Sequence, residues 1–246
     1  MRVLVLQHIA CEHPGVFSEV MRERGDEPVA VEVDEGEPLP DWREFDALLA
    51  MGGPMGAGDD ADHHWLAPER ELVREAVEAG RPFLGVCLGV QLLAASLGAR
   101  VYAADPPEVG LLDVELTAEG RDDPLFAGLE DRFVSLQWHG DTFELPSGAV
   151  RLASSPLIPN QAFRAGERAY GVQFHLEVTG EMAVEWGSIP AYRESLAATL
   201  GERDGAEFIA DVGRRADELH PPARRLFANW LELAQPATRV RRRPRV

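Results

Sequence analysis

The sequence predicts an α/β fold in which a mostly parallel open sheet is covered by helices on both faces, with a few antiparallel strands at its edge. Three observations predict it. Short apolar runs alternate with amphipathic stretches through the first hundred residues, the pattern of strands joined by crossover helices. After residue 100 strand-like runs follow one another with few helices between them, which suits antiparallel additions to the same sheet. The chain of 246 residues with 45% hydrophobic content is long enough for one such domain with a large core. We place that domain at residues 1–236 and read 237–246 as an Arg-rich disordered tail.

The elements follow in order. VLVLQ (3–7) is a continuous apolar run and reads as a buried strand. Residues 15–24 read as a short helix ending near Gly25, and VAVEV (29–33) as a second strand. DALLAM (46–51) is a third, running straight into Gly52-Gly53-Pro54. Residues 64–79 carry Leu66, Leu72, Val73, Ala76 and Val77 at helical spacing and are closed by Gly80. PFLGV (82–86) is the next strand, and 88–97 the next helix, closed by Gly98. Beyond them RVYAA, LLDVELT, FVSLQW, VRLAS, QAFRA and AYGVQFH read as short strands, the first two separated by an Asp105-Pro106-Pro107 linker. Residues 179–186, 190–200, 203–217 and 222–234 read as terminal helices.

Charge and composition narrow the partners. The formal net charge is −18, and such a field repels nucleic acid and anionic membranes. All 24 basic residues are arginine. No apolar run approaches the roughly 20 residues of a membrane span. The start MRVLVLQHIA reads as a first core strand and not as a secretory signal, so a cytoplasmic location is expected. Two cysteines, Cys11 and Cys87, do not make a disulfide framework in a chain of this kind.

Gly85-Val86-Cys87-Leu88-Gly89-Val90-Gln91 is the segment richest in chemistry. A strand ends at Val86 and a helix begins near Leu88, so Cys87 occupies the tightest point of a strand-to-helix turn. Such a turn strains its central residue and needs neighbours without side-chain bulk, here Gly85 and Gly89. It holds a sulfur at the carboxyl edge of the sheet, where open α/β sheets bind ligands. The helix N-terminus is expected to lower the thiol pKa, and the Leu88 amide can donate to an oxyanion. A buried inert cysteine on a tight turn is the alternative from this segment alone.

A thiolate needs a base, and the base needs an orienter. His175 and Glu177 follow an apolar run, and strand alternation would put both on one face. The pair alone also fits an exposed polar strand end. An α/β-hydrolase triad is disfavoured because its acid precedes the histidine, whereas here the acid follows by two residues.

Together, Gly52-Gly53-Pro54, the Cys87 turn and His175-Leu176-Glu177 resemble the class I glutamine amidotransferases in order and spacing, over roughly residues 1–187. Leu6-Gln7-His8 with Pro14-Gly15, and Gln137-Trp138-His139-Gly140-Asp141, resemble stand-alone members similar to the amidotransferase domain of GMP synthase. The resemblance implies a flavodoxin-like fold and a Cys87–His175–Glu177 triad with no cofactor. Cys87 would attack the side-chain amide of glutamine, and His175 would protonate the departing ammonia. The Gly53 and Leu88 amides would hold the oxyanion, and Gly52, Gln91, Trp138, His139 and Gly140 the rest of the substrate. Leu176 stands where the family has proline, which keeps the spacing and makes the backbone less rigid.

His8, Cys11, Glu12 and His13 superficially suggest a metal site, but no second cluster supports one. Their loop is expected instead to line the acceptor side of the pocket. His63 and His64 read as a solvated helix start, and Trp138 as either core or pocket wall. The partners implied are glutamine or a small γ-glutamyl compound, and a synthetase supplying the acceptor. A self-contained γ-glutamyl amidase or peptidase and a non-catalytic binding domain are the alternatives.

Overall fold

The computed structural model describes residues 1–235; the Arg-rich segment lies outside the described residues. Nine strands form one sheet: β1 (Arg2–Gln7), β2 (Glu27–Glu32), β3 (Ala47–Ala50), β4 (Phe83–Val86), β5 (Val101–Leu116), β6 (Arg132–Phe143), β7 (Val150–Ser154), β8 (Ala162–Ala165) and β9 (Ala169–Val172). Their order is β2-β1-β3-β4-β9-β8-β7-β5-β6. The first five in that order are mutually parallel, and the remaining neighbours pair antiparallel. The expected parallel sheet with an antiparallel edge is therefore present.

The helices are α1 (Val16–Arg24), α2 (Leu66–Glu78), α3 (Leu88–Ser96), α4 (Ala118–Asp122), α5 (Gly180–Trp186), α6 (Pro190–Leu200) and α7 (Glu202–Ala234). Successive strand residues feed two cores. Val3, Val5, Leu49 and Leu84 pack with Phe17 of α1 and Phe227 of α7. Leu4, Leu6, Leu48 and Phe83 pack with Val73 of α2 and Leu93 of α3. Alternation sends neighbours to opposite faces, so a stretch buried on both must be apolar throughout, as Val3–Leu6 of β1 and all of β3 are. Among the described residues no helix is long and apolar enough to cross a membrane.

Three elements differ from the sequence expectation. RVYAA and LLDVELT are one strand, β5, because β6 pairs with it on both sides of a bulge between Ala103 and Glu108. The prolines sit in that bulge, where no ladder donor is needed. The two last helices are one, α7, with Pro221 and Pro222 inside it. Each proline removes one backbone donor, but Leu219, Ala223, Leu226 and Phe227 are buried on either side and hold the helix to the sheet. Finally, β9 stops at Val172, and His175 is fastened to β6 by an isolated antiparallel bridge with Leu136.

Candidate active site

Four neighbouring parallel strands deliver the site. In the order β1-β3-β4-β9, the residues just past their carboxyl ends are His8, Gly52-Gly53, Cys87 and the segment leading to His175. Parallel pairing places all four groups along one edge of the sheet.

Cys87 has φ 52° and ψ −105° and is the non-glycine residue with positive φ among the described residues. The strain is tolerated because the turn is fixed on all sides. Its N–H donates to Val172 O at 2.9 Å, and Gly89 N donates to Met51 O at 3.1 Å. A Cβ at Gly85 would strike the Gly89 carbonyl, and one at Gly89 would strike Ala50. The expected nucleophile-type elbow is thus found, and α3 starts at Leu88 with no side-chain cap.

His175 Nδ1 lies 2.7 Å from Glu177 Oε1, and the Cys87 thiol is close enough to the ring for the two to act on each other's charge. Trp186 packs edge-on against the imidazole with centroids 5.0 Å apart. All three polar residues are buried. Burial opposes the charge on His175, but Glu177 and Cys87 outweigh it and hold its pKa well above the ordinary value. At Cys87 burial dominates and pushes the thiol up, while His175 pulls it back. The lowering expected from the helix terminus is therefore overcome by desolvation in the free pocket. Leu176 N donates to Glu177 Oε2 at 3.0 Å, a bond proline cannot make. The residue expected to loosen this segment instead gives its carboxylate a second donor.

A pocket of about 210 Å³ opens over Cys87, lined by Gly53, Leu88, Gln91, Trp138, His139 and Gly140 among others. Among the described residues neither Gly53 N nor Leu88 N has a hydrogen-bond partner. Gln91 gives its amide hydrogens to Asp141 O and Gln173 Oε1, and Gln173 in turn reaches the Cys87 sulfur at 3.6 Å. His139 is held by Asp141 O at 2.8 Å and Glu108 at 3.1 Å. Trp138 is both core and wall: it packs on Trp186, Tyr192 and Phe208 and lines the pocket.

Two placements need correction. Gly52 does not line the pocket; it is wedged between Glu12 and His175, where a Cβ would strike the Glu12 carboxylate. The loop after β1 does not line it either, because His8 is drawn inward to Gly52 O and Glu69. His64 is exposed, His63 leans on Trp65, and α2 begins after them at Leu66.

The family model for glutamine amidotransferase class-I matches residues 18–184. The chain belongs to the class I glutamine amidotransferases. This amidotransferase is 34% identical over 207 residues to the glutamine amidotransferase-like protein YfeJ of Salmonella typhimurium, covering 82% of this chain and 86% of that one. It is 40% identical over 139 residues to the GMP synthase of Thermomicrobium roseum, covering 56% of this chain and a mere 25% of that protein. A glutamine amidotransferase structure from Thermotoga maritima superposes with a TM-score of 0.83 at 33% identity, covering 94% of this chain and 98% of that one. One from Methylobacillus flagellatus gives 0.84 at 29%, with 97% of each covered.

Sequence reasoning missed two groups of the amidotransferase pocket. Tyr192 and Ser195 of α6 wall it, although α6 lies beyond the matched residues; only its amphipathic spacing is visible in sequence. Glu12 is fully buried behind His175, with Oε1 accepting from the Tyr192 hydroxyl and Oε2 unpartnered. Its place on the loop after the first strand was the one available signal.

Burial raises Glu12 from 4.5 to about 7, with Glu177 adding to the shift and His175 opposing it. The unfolded chain loses this proton near 4.5 while the folded protein keeps it, so stability falls as pH rises between the two values. A shift of that size corresponds to about 3 kcal/mol. We expect urea unfolding of Glu12→Gln to lack this part of the slope. The variant should gain about 3 kcal/mol on the natural protein between pH 4.5 and 7 and run parallel to it above. Parallel curves from pH 4.5 upward would show that Glu12 is ionised throughout.

Proposed function

We propose that the chain hydrolyses the side-chain amide of glutamine through a γ-glutamyl thioester on Cys87, releasing glutamate and ammonia. The observation that carries this reading is the strained Cys87 turn opening on a small pocket, with His175–Glu177 behind the sulfur and two free amides beside it. About 210 Å³ is below the 300–1,000 Å³ of drug-sized sites and suits a substrate the size of an amino acid.

With the shared proton on the His175 imidazole, the Cys87 thiolate attacks the amide carbon. A C–S bond forms, and the oxygen becomes an oxyanion held by Gly53 N–H and Leu88 N–H. On collapse the C–N bond breaks and His175 gives its proton to the departing ammonia. His175 then takes a proton from water as it attacks the thioester, and the C–S bond breaks to release glutamate and restore the thiol. Glu177 keeps Nδ1 protonated and stabilises the imidazolium throughout. Each oxyanion donor of this kind is worth about 3 kcal/mol in the transition state.

The ammonia would serve an acceptor on a synthetase, as the names of the GMP synthase relatives suggest. A self-contained γ-glutamyl amidase is favoured by a different observation: α6 roofs the pocket with Tyr192 and Ser195. Ammonia release from glutamine and from a panel of γ-glutamyl amides separates these readings. Slow release from glutamine that rises with a synthetase present supports ammonia supply. Fast release by the chain alone from one γ-glutamyl amide supports the amidase. No release from any of them, with Cys87 reduced and the fold intact, would leave a binding domain.

A further inference from the structure

His8 is wholly buried, and each ring nitrogen has one partner. Nδ1 lies 3.0 Å from the Gly52 carbonyl oxygen and Nε2 2.9 Å from Glu69 Oε1. A carbonyl oxygen can only accept, so Nδ1 carries a proton. Trp65 stacks on the ring, with centroids 5.5 Å apart, and Glu69 is itself fully buried. Burial disfavours charge on His8, yet Glu69 and the Gly52 carbonyl outweigh it and hold the ring pKa above its ordinary value. His8 does not line the pocket, so its role in the reaction cannot be contact with substrate.

The Gly52 carbonyl and the Gly53 N–H belong to one peptide unit, and that unit is trans. In a trans peptide the C=O and N–H lie in one plane and point in opposite directions. Anchoring the oxygen on His8 therefore sets the direction of the Gly53 N–H, and Gly53 lines the pocket together with Cys87 and Leu88. Two successive glycines are the least restrained backbone a chain can have, so this donor needs an external clamp. The preceding carbonyl, Met51 O, is already held by Gly89 N of the elbow. Donation from His8 also polarises the amide and strengthens its N–H as a donor.

We propose that His8, backed by Glu69, is a positioning residue that aims and polarises the Gly53 amide as an oxyanion donor. This rests on the hydrolysis proposed above. The test compares His8→Leu with His8→Asn, each combined with Glu69→Gln so that no carboxylate is left buried without a partner. Leucine fills the space without a donor; asparagine places an amide N–H where Nδ1 lies. We expect the leucine variant to lose about tenfold to a hundredfold in kcat, less than deletion of a whole donor, with KM within about twofold. Its affinity for the γ-aldehyde analogue of glutamine should fall by the same factor as kcat/KM. That aldehyde adds the Cys87 sulfur to its carbonyl carbon and puts the resulting oxygen in the oxyanion position. Alkylation of Cys87 by iodoacetamide creates no oxyanion and should proceed at the natural rate in both variants. The asparagine variant should recover most of the loss.

Equal loss in the leucine and asparagine variants would overturn the proposal, as would parallel losses in kcat and in alkylation rate. A natural protein that neither releases ammonia nor binds the aldehyde would instead overturn the underlying hydrolysis, and His8's role with it.

Discussion

Replacing Cys87 by alanine is expected to remove amide hydrolysis, with a fall in kcat on the order of a million-fold, the scale seen when a nucleophile is deleted from a unit that acts together. His175→Ala should cost nearly as much, and the double variant little more than either, because in the proposed mechanism neither group works without the other. The fold should survive. The Cys87 side chain is small, and the backbone turn is held by Val172 O and by Met51 O on Gly89 N, not by the sulfur. Steady-state ammonia release, with intact far- and near-ultraviolet circular dichroism, is the measurement. Iodoacetamide labelling should fall on Cys87 before Cys11, whose thiol is buried outside the pocket and pushed up to about 12, first by burial and then by Glu12. A Cys87→Ala protein that keeps a hundredth of the natural rate would require another nucleophile, and no second cysteine lines the pocket.

The legible part of the fold was the part governed by local pattern. Val3–Leu6 of β1 and the whole of β3 and β4 are apolar because both faces of the sheet are covered, and α1 and α2 show a single apolar stripe. Where prolines interrupt a pattern, local reasoning breaks the element, whereas tertiary pairing carries it through. β5 is continuous because β6 pairs with it before and after the bulge. α7 is continuous because its apolar face is packed on both sides of Pro221, Phe208 against Trp138 of β6 before it and Phe227 stacked on Phe17 of α1 at 4.3 Å after it.

The site divides the same way. Cys87 announces itself through Gly85 and Gly89, since a tight turn writes its steric needs into adjacent residues. His175 and Glu177 are two apart and meet as spacing suggests, although the strand ends before them and the bridge to Leu136 does the placing. Glu69 and Tyr192 are invisible, and Glu12 shows only its place on a loop, because their roles depend on contacts 61 residues apart for His8–Glu69 and 180 for Tyr192–Glu12. No local pattern encodes such a pair.

Changing Glu177 to glutamine should lower kcat about 10³- to 10⁴-fold while leaving the protein folded. The carboxylate does two things at once: Oε1 accepts from His175 Nδ1 at 2.7 Å and Oε2 from Leu176 N at 3.0 Å. Both partners are donors, and an ionised carboxylate satisfies both because it is acceptor-only. An amide has one oxygen. If it faces Leu176, its NH₂ group opposes Nδ1–H and drives His175 to the wrong tautomer, the kind of defect that costs about 10⁴ in an analogous triad. If it faces His175, the Leu176 N–H is left buried beside another donor, at about 1–3 kcal/mol. Glutamine should therefore cost stability as well as rate, and urea unfolding at pH 7.5 should read that cost. Loss of the negative charge also removes the main support for the imidazolium, so the His175 pKa should drop from its raised value. The acid limb of the kcat/KM profile, followed from pH 5 to 9, should move with it. Glu12 is the rival acid, buried near the same ring. A larger rate loss in Glu12→Gln than in Glu177→Gln would transfer the orienting role to Glu12, and an unchanged rate in Glu177→Gln would remove Glu177 from the proposed triad.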